Sequence, residues 1–203
     1  MIPRSPRHRA VLAGLALLAL LVVAGVVDEC AATPAGDYAT RRGDILLADG
    51  QWDEAIAWFD QALTAQPAHR GALMGRAIGL LQSGRTAEAE AAFDRLIALL
   101  SATPAGDDAT GRGALAGAYA NRGILFDRTD RPEQALADYR AALAIDAEAV
   151  EGPGLGHRIL YANARPSSVA KRAAYLEQQL ALPPEQRRLR DPERDARQRM
   201  HKP

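Results

Sequence analysis

The chain repeats itself. The run RRGDILLADGQWDEAIAWFDQALTAQP from Arg41 returns, 34 residues on, as GRAIGLLQSGRTAEAEAAFDRLIALL from Gly75. Arg42 falls on Arg76, Gly43 on Ala77, Leu46 on Leu80, Gly50 on Gly84, Ala55 on Ala89 and Phe59 on Phe93. A third copy, NRGILFDRTDRPEQALADYRAALAIDA, begins at Asn121, 46 residues after the second, which is the same 34-residue period plus an insertion of 12. A fixed period of this size confines a chain to stacked supersecondary units, each touching only its neighbours. With 48% hydrophobic residues but only 5% aromatics, the core must be built mainly from Ala and Leu, which favours packed helices over a sandwich or barrel.

Each unit reads as two antiparallel helices. In the first, apolar residues recur at helical spacing over 37–48, Gly50 breaks the run, and a second helix follows over 52–65 up to Pro67. Gly43, Ala77 and Gly123 are small where the helices of a hairpin must approach, and Ala55, Ala89 and Ala135 are their small partners. Phe59, Phe93 and Tyr139 are the large plugs between successive hairpins, since alternating small and large residues let helices interdigitate. The recurring Arg42, Arg76 and Arg122 are read as helix-edge salt bridges within each repeat.

A 34-residue period with small, Gly, Ala, aromatic, Ala and Pro positions in this order resembles the tetratricopeptide repeat family. Repeat one carries Gly43, Gly50, Ala55, Phe59, Ala62 and Pro67 at the family's positions, and repeat three carries Asn121-Arg122-Gly123, Ala135, Tyr139 and Ala142. Repeat two departs with Leu96 for the second alanine and no closing proline, and Leu46, Leu80 and Phe126 replace the family's first-helix aromatic. The resemblance implies a right-handed superhelical stack whose concave face, lined by first helices, holds peptides. Arg41 and Asp44 of repeat one, Met74 and Ile78 of repeat two, and Asn121 and Ile124 of repeat three are expected on that face. Asp44 and Ile78 stand where members that clamp chaperone C-termini use asparagine, which argues against that ligand.

The insertion has an origin in the sequence: ATPAGDYATRRG from Ala32 recurs as ATPAGDDATGRG from Ala102. It is read as a loop over 101–112, with Asp107 and Asp108 capping the helix that follows. The three repeats then occupy 37–68, 70–100 and 113–148. From 150 to 182 the pattern decays into a degenerate fourth hairpin, with helices predicted over 155–163 and 167–181, that caps the stack. Residues 183–203 are predicted to be a frayed, mixed-charge tail.

Ala10–Val27 are eighteen consecutive residues without a polar side chain, after a basic end at 1–9 and before a linker at 28–36. As a helix they extend about 27 Å, close to a hydrocarbon core of about 30 Å. Arg4, Arg7 and Arg9 precede them while Asp28 and Glu29 follow, so the basic end is retained in the cytoplasm and the repeats are exported to the periplasm. The span is longer than a secretory signal needs, so an uncleaved inner-membrane anchor is expected; a signal cleaved near Cys30-Ala31-Ala32 is the alternative. Glu29, directly before Cys30, argues against lipidation.

Residues 37–150 carry eleven basic and seventeen acidic groups, and 151–203 eleven basic and six acidic. An acidic body argues against nucleic acid as partner. A single cysteine and four scattered histidines offer no disulfide framework and no metal-ligand spacing. No nucleophile elbow, Walker lysine or zinc-hydrolase motif is present, and no cofactor is implied. The strong preference for arginine over lysine suits a high-GC bacterial genome. The expected protein is an all-α, non-catalytic scaffold of the bacterial envelope that binds a protein or peptide. A structural subunit assembled through its repeat ends or its basic C-terminal tail is the alternative.

Overall fold

A computed structural model describes residues 34–102, 108–151, 169–195 and 198. Among them the regular structure is all helical. Helices α1 (Asp37–Ala48) and α2 (Trp52–Ala65) form the first hairpin, α3 (Arg70–Gln82) and α4 (Thr86–Ala102) the second, and α5 (Ala109–Arg128) and α6 (Pro132–Glu151) the third. Helix α7 (Val169–Leu180) packs on α6, and a 3-10 turn at Pro184–Gln186 and a short helix α8 (Pro192–Asp195) follow. Every helix from α1 to α6 packs on its successor, and the first helices also touch, α1 on α3 and α3 on α5. The apolar span 10–27, Cys30 and the predicted helix over 155–163 lie outside the described residues. Among the described residues no helix is long and apolar enough to cross a membrane.

One device closes all three hairpins. Gly50 (φ 76°) and Gly84 (φ 80°) sit in the left-handed region just past a first helix. There the N–H of Gln51 reaches the carbonyl of Leu46 and that of Arg85 reaches Leu80, each at 2.9 Å, the long bond of a Schellman turn. In the third hairpin Arg131 makes the same bond to Phe126 at 2.9 Å, but the left-handed residue is Asp130 (φ 58°), the non-glycine exception to the pattern.

Phe59, Phe93 and Tyr139 are 0–1% exposed, as are Ala55, Ala89 and Ala135. A Cβ built on Gly43 would lie 2.6–2.8 Å from three atoms of the Phe59 ring, and one on Gly123 would lie 2.7 Å from Tyr139. The small positions are small because a ring already fills that space.

Three expectations need correction. The segment 101–112 is helical at both edges: Ser101 and Ala102 continue α4, and α5 starts at Ala109 rather than at 113. Asp108 sets that start, its Oδ1 accepting the N–H of Gly111 at 2.8 Å as an N-cap. Farther on, the glycines and proline at 152–156 suggest that no helix precedes Leu155, yet helical residues resume right after Asp146. Asp146 (φ −159°) ends the second helix of repeat three, and its side chain caps the N–H of Ala149 at 3.0 Å, starting a new turn that buries Val150. Finally, the described part of the tail packs on the stack rather than fraying. Leu189 joins the main core, and Arg190 reaches Asp130 and the carbonyl of Arg128 at 2.8–3.0 Å.

Candidate interaction surface

The six predicted surface residues do not share one environment. Arg41 is exposed and Asp44 half-buried on α1, but Met74 (2%), Ile78 (4%), Asn121 (0%) and Ile124 (3%) are closed off from solvent. Asn121, expected to face solvent, instead donates from Nδ2 to the sulfur of Met74 at 3.4 Å, joining α3 to α5. The cause lies in α3, nine of whose thirteen residues are buried because α1, α2, α4 and α5 all press on it. Gly75 and Gly79 permit this approach: a Cβ on Gly79 would lie 2.9 Å from Ile56, and one on Gly75 within 2.7 Å of Phe59. Sequence spacing identifies the inward face of a first helix. How tightly neighbouring first helices close over it depends on such glycines.

What stays accessible lies at the two ends of the first helices. At their C-terminal ends, Ala48 on α1, Gln82 on α3 and Arg128 on α5 are exposed, and Arg128 donates to Gln82 Oε1 at 3.2 Å. At the N-terminal ends runs a row of polar contacts. His69 accepts the N–H of Ala72 on Nδ1 at 3.2 Å, which leaves the proton on Nε2 for Asp37 at 2.8 Å. Its neighbour Arg70 reaches the other way, to Asp108 at 2.7 Å. Arg70 and the Gly111 N–H together hold the Asp108 carboxyl below its ordinary value. Asp37 falls in the first of the duplicated ATPAGD segments, whereas Asp108 stands one place past the second, so the duplication marks the first acid of this row but not the other.

The recurring arginines do not share one role: Arg76 and Arg122 act between repeats, Arg122 also within its own, and Arg42 within the first hairpin. Arg76 of α3 bonds Asp60 of the preceding hairpin at 2.6 Å, and Arg122 of α5 bonds Asp94 of its preceding hairpin at 2.5 Å. Asp60 and Asp94 are one period apart, so this is the same staple twice. Arg122 adds a two-bond fork to Asp138 of its own hairpin at 2.7–2.8 Å, and the paired carboxylates raise its pKa despite partial burial. Among the described residues no hairpin precedes Arg42; its guanidinium lies over the Trp58 ring, 5.8 Å from the centroid. On the second-helix side, a cleft of about 450 Å³ between α2 and α4 is lined by Asp60, Leu63, Pro67, Leu73, Arg76 and Arg95, with the Arg76–Asp60 staple within it.

At the far end a buried polar hub joins three elements. Arg172 of α7 and Asp127 of α5, 2% and 5% exposed, form two bonds at 2.6–2.7 Å. Tyr139 and Gln198 add bonds to Asp127 at 3.4 and 2.5 Å, and Arg172 also holds the Leu189 carbonyl at 3.0 Å. Burial and the Asp127 carboxylate hold the Tyr139 hydroxyl well above the ordinary tyrosine range. Arg187, for its part, bonds the carbonyls of Leu180 and Leu182. The basic tail thus spends Arg187 and Arg190 on its own stack. Among the described residues no cluster of His, Cys, Asp and Glu is placed to hold a metal ion.

Comparison with known proteins agrees with this geometry. Tetratricopeptide repeat models match residues 31–72, 40–109 and 116–148, together more than half of the 203 residues. No curated protein matches the chain. Among solved structures, the first tetratricopeptide domain of Spaghetti (RPAP3), bound to the HSP90 peptide SRMEEVD, aligns with a TM-score of 0.51 at 20% identity. The alignment covers 73% of this chain and 94% of that one. With three stacked hairpins, a shared 34-residue period and these matches, the chain belongs to the tetratricopeptide repeat family.

Proposed function

We propose that this protein is a membrane-anchored scaffold of the bacterial envelope that holds a protein or peptide partner on the first-helix side of its stack. Tetratricopeptide repeats are generally non-catalytic interaction modules, and a structural relative in the family is one bound to a peptide. The observation that carries the reading is the contact of α1 with α3 and of α3 with α5, which makes one continuous surface from equivalent positions of three repeats. The anchor rests on the apolar span 10–27 and its charge flanks, with the repeats on the periplasmic side.

The burial pattern refines where a partner sits. Met74, Ile78, Asn121 and Ile124 act as the floor, and contact comes from Arg41 and Asp44 together with the exposed Gln82 and Arg128. The test is affinity capture from detergent-solubilised membranes with the parent chain, with Arg41→Glu/Arg128→Glu, and with Arg95→Glu on the opposite side as control. Loss of the captured partner in the first variant alone, with helicity unchanged, supports the reading. Equal capture by all three refutes it.

A further inference from the structure

We infer that the outer face of the first hairpin is a lipid-docking surface that seats the stack on the phospholipid headgroup layer. The inference rests on the anchor reading of residues 10–27.

Tyr38 is 64% exposed and Ile45 53%, the most exposed large apolar side chains among the described residues. With Arg42 they occupy positions i, i+4 and i+7 of α1, a single helical stripe. Trp58 of α2 extends the stripe, its ring edge-on to Tyr38 at 6.0 Å and 78°. Exposed Tyr, Ile and Arg beside a half-buried Trp on one face is the composition of the membrane interface, where aromatic rings sit at headgroup depth and arginines reach phosphate.

Three observations select lipid over other occupants. First, Arg42 stands at the staple position whose equivalents, Arg76 and Arg122, each grip an aspartate of the preceding hairpin. Arg42 makes no ion pair among the described residues, so its guanidinium is available to a phosphate oxygen. Second, head-to-tail stacking of another copy would not supply that acid. The third repeat places Arg140 where Asp60 and Asp94 stand, and it is engaged with Glu177, while α7 places Ala174 at the next equivalent position. Third, the apolar span ends at Val27 and α1 starts at Asp37. The nine residues between them reach about 30 Å at most, which confines this face to the membrane surface and raises its effective concentration there. A patch of this size, too small to hold a free protein on lipid, suffices for one already tethered. Asp49, Asp53 and Glu54 at the adjoining turn offset Arg42, so docking relies on the aromatic and apolar groups and does not require anionic lipid.

The test uses the full chain with Trp52→Phe, which leaves Trp58 as the only tryptophan, in phosphatidylcholine nanodiscs with or without a lipid quencher at shallow acyl depth. Loss of Trp58 emission with the quencher, relieved by Tyr38→Ser/Ile45→Glu at unchanged helicity and unaltered by salt, supports the inference. A chain that stays in the disc with Trp58 unquenched overturns it and leaves the anchor standing. Failure of the chain to remain with the discs overturns the anchor reading and the inference with it. Efficient disulfide dimerisation of a Tyr38→Cys/Cys30→Ser chain in discs would show a second copy on this face and also overturn it.

Discussion

Gly75→Ala sets two effects of known size against each other. In an isolated helix, alanine for glycine gains about 1 kcal/mol. Here the new methyl would lie 2.6 and 2.7 Å from Cε1 and Cε2 of Phe59, where about 3.5–4 Å is a comfortable carbon contact. The ring has little room to move: it is 0% exposed, and the Cε1 and Cζ that crowd Gly75 also lie 2.6 and 2.8 Å from a Cβ placed on Gly43. Relief requires an off-rotamer ring or a shift of α2 against α3, which places the penalty at or above the top of the usual overpacking range of about 1–3 kcal/mol. The net loss is then about 2 kcal/mol, or about 4–8 °C in melting temperature for a domain of this size. The assay is urea and thermal unfolding followed by circular dichroism at 222 nm. Phe59→Leu should itself destabilise, yet when combined with Gly75→Ala it should cost at least about 1 kcal/mol less than the sum of the two. If Gly75→Ala melts at or above the parent, or the pair is additive, the ring does not fill the gap between the hairpins as described.

Phe59→Ala should cost about 3–5 kcal/mol by calorimetry, the range for emptying a core phenylalanine site, and a melt within about 2 °C of the parent would contradict its burial. Gly84→Ala isolates the backbone, because no atom lies within 4 Å of its Cβ position; a loss of about 1–2 kcal/mol in denaturant titration is expected from left-handed strain alone. Arg172→Met strands the buried Asp127 carboxylate and should lose about 3–5 kcal/mol, whereas Arg172→Met/Asp127→Leu should recover much of it, and equal melts for the two variants would show that the pair is not a buried hub. Glu90 is held below its ordinary 4.5 chiefly by the hydrogen bond from Arg131. Its folded pKa being the lower one, its contribution is present above about pH 4.5 and fades as acid titrates it; Glu90→Gln should flatten the stability–pH curve below that point, and identical curves would count against the pair.

The hairpins were legible because their signals are local. Gly50 and Gly84 mark turns, and Phe59, Phe93 and Tyr139 mark the plugs by their spacing. What escaped depends on which groups meet across repeats. Arg76 and Arg122 look alike in sequence, but only their partners reveal a staple to the preceding hairpin. Asn121 reads as a polar surface residue by pattern and is buried by the closeness of α3. The tail looked solvated because its charges are mixed, while the residues that order it, Asp127 and Asp130, lie some sixty to seventy positions upstream. Asp146 ends a helix with no glycine or proline beside it, while Gly152, Pro153, Gly154 and Gly156 just beyond carry the stronger breaker signal in sequence.

The arginine–aspartate staple also says how such an array can lengthen. Its first and middle units each carry both halves, Arg42 with Asp60 and Arg76 with Asp94, while the third carries Arg122 but has Arg140 in place of the acid that a following unit would need. A duplicated middle unit could therefore be spliced in beside itself with every staple satisfied, and one placed before the first would offer its aspartate to Arg42, whereas a unit placed after the third would meet Arg140. By this staple the stack can lengthen from within or ahead of its first hairpin, but not beyond its third.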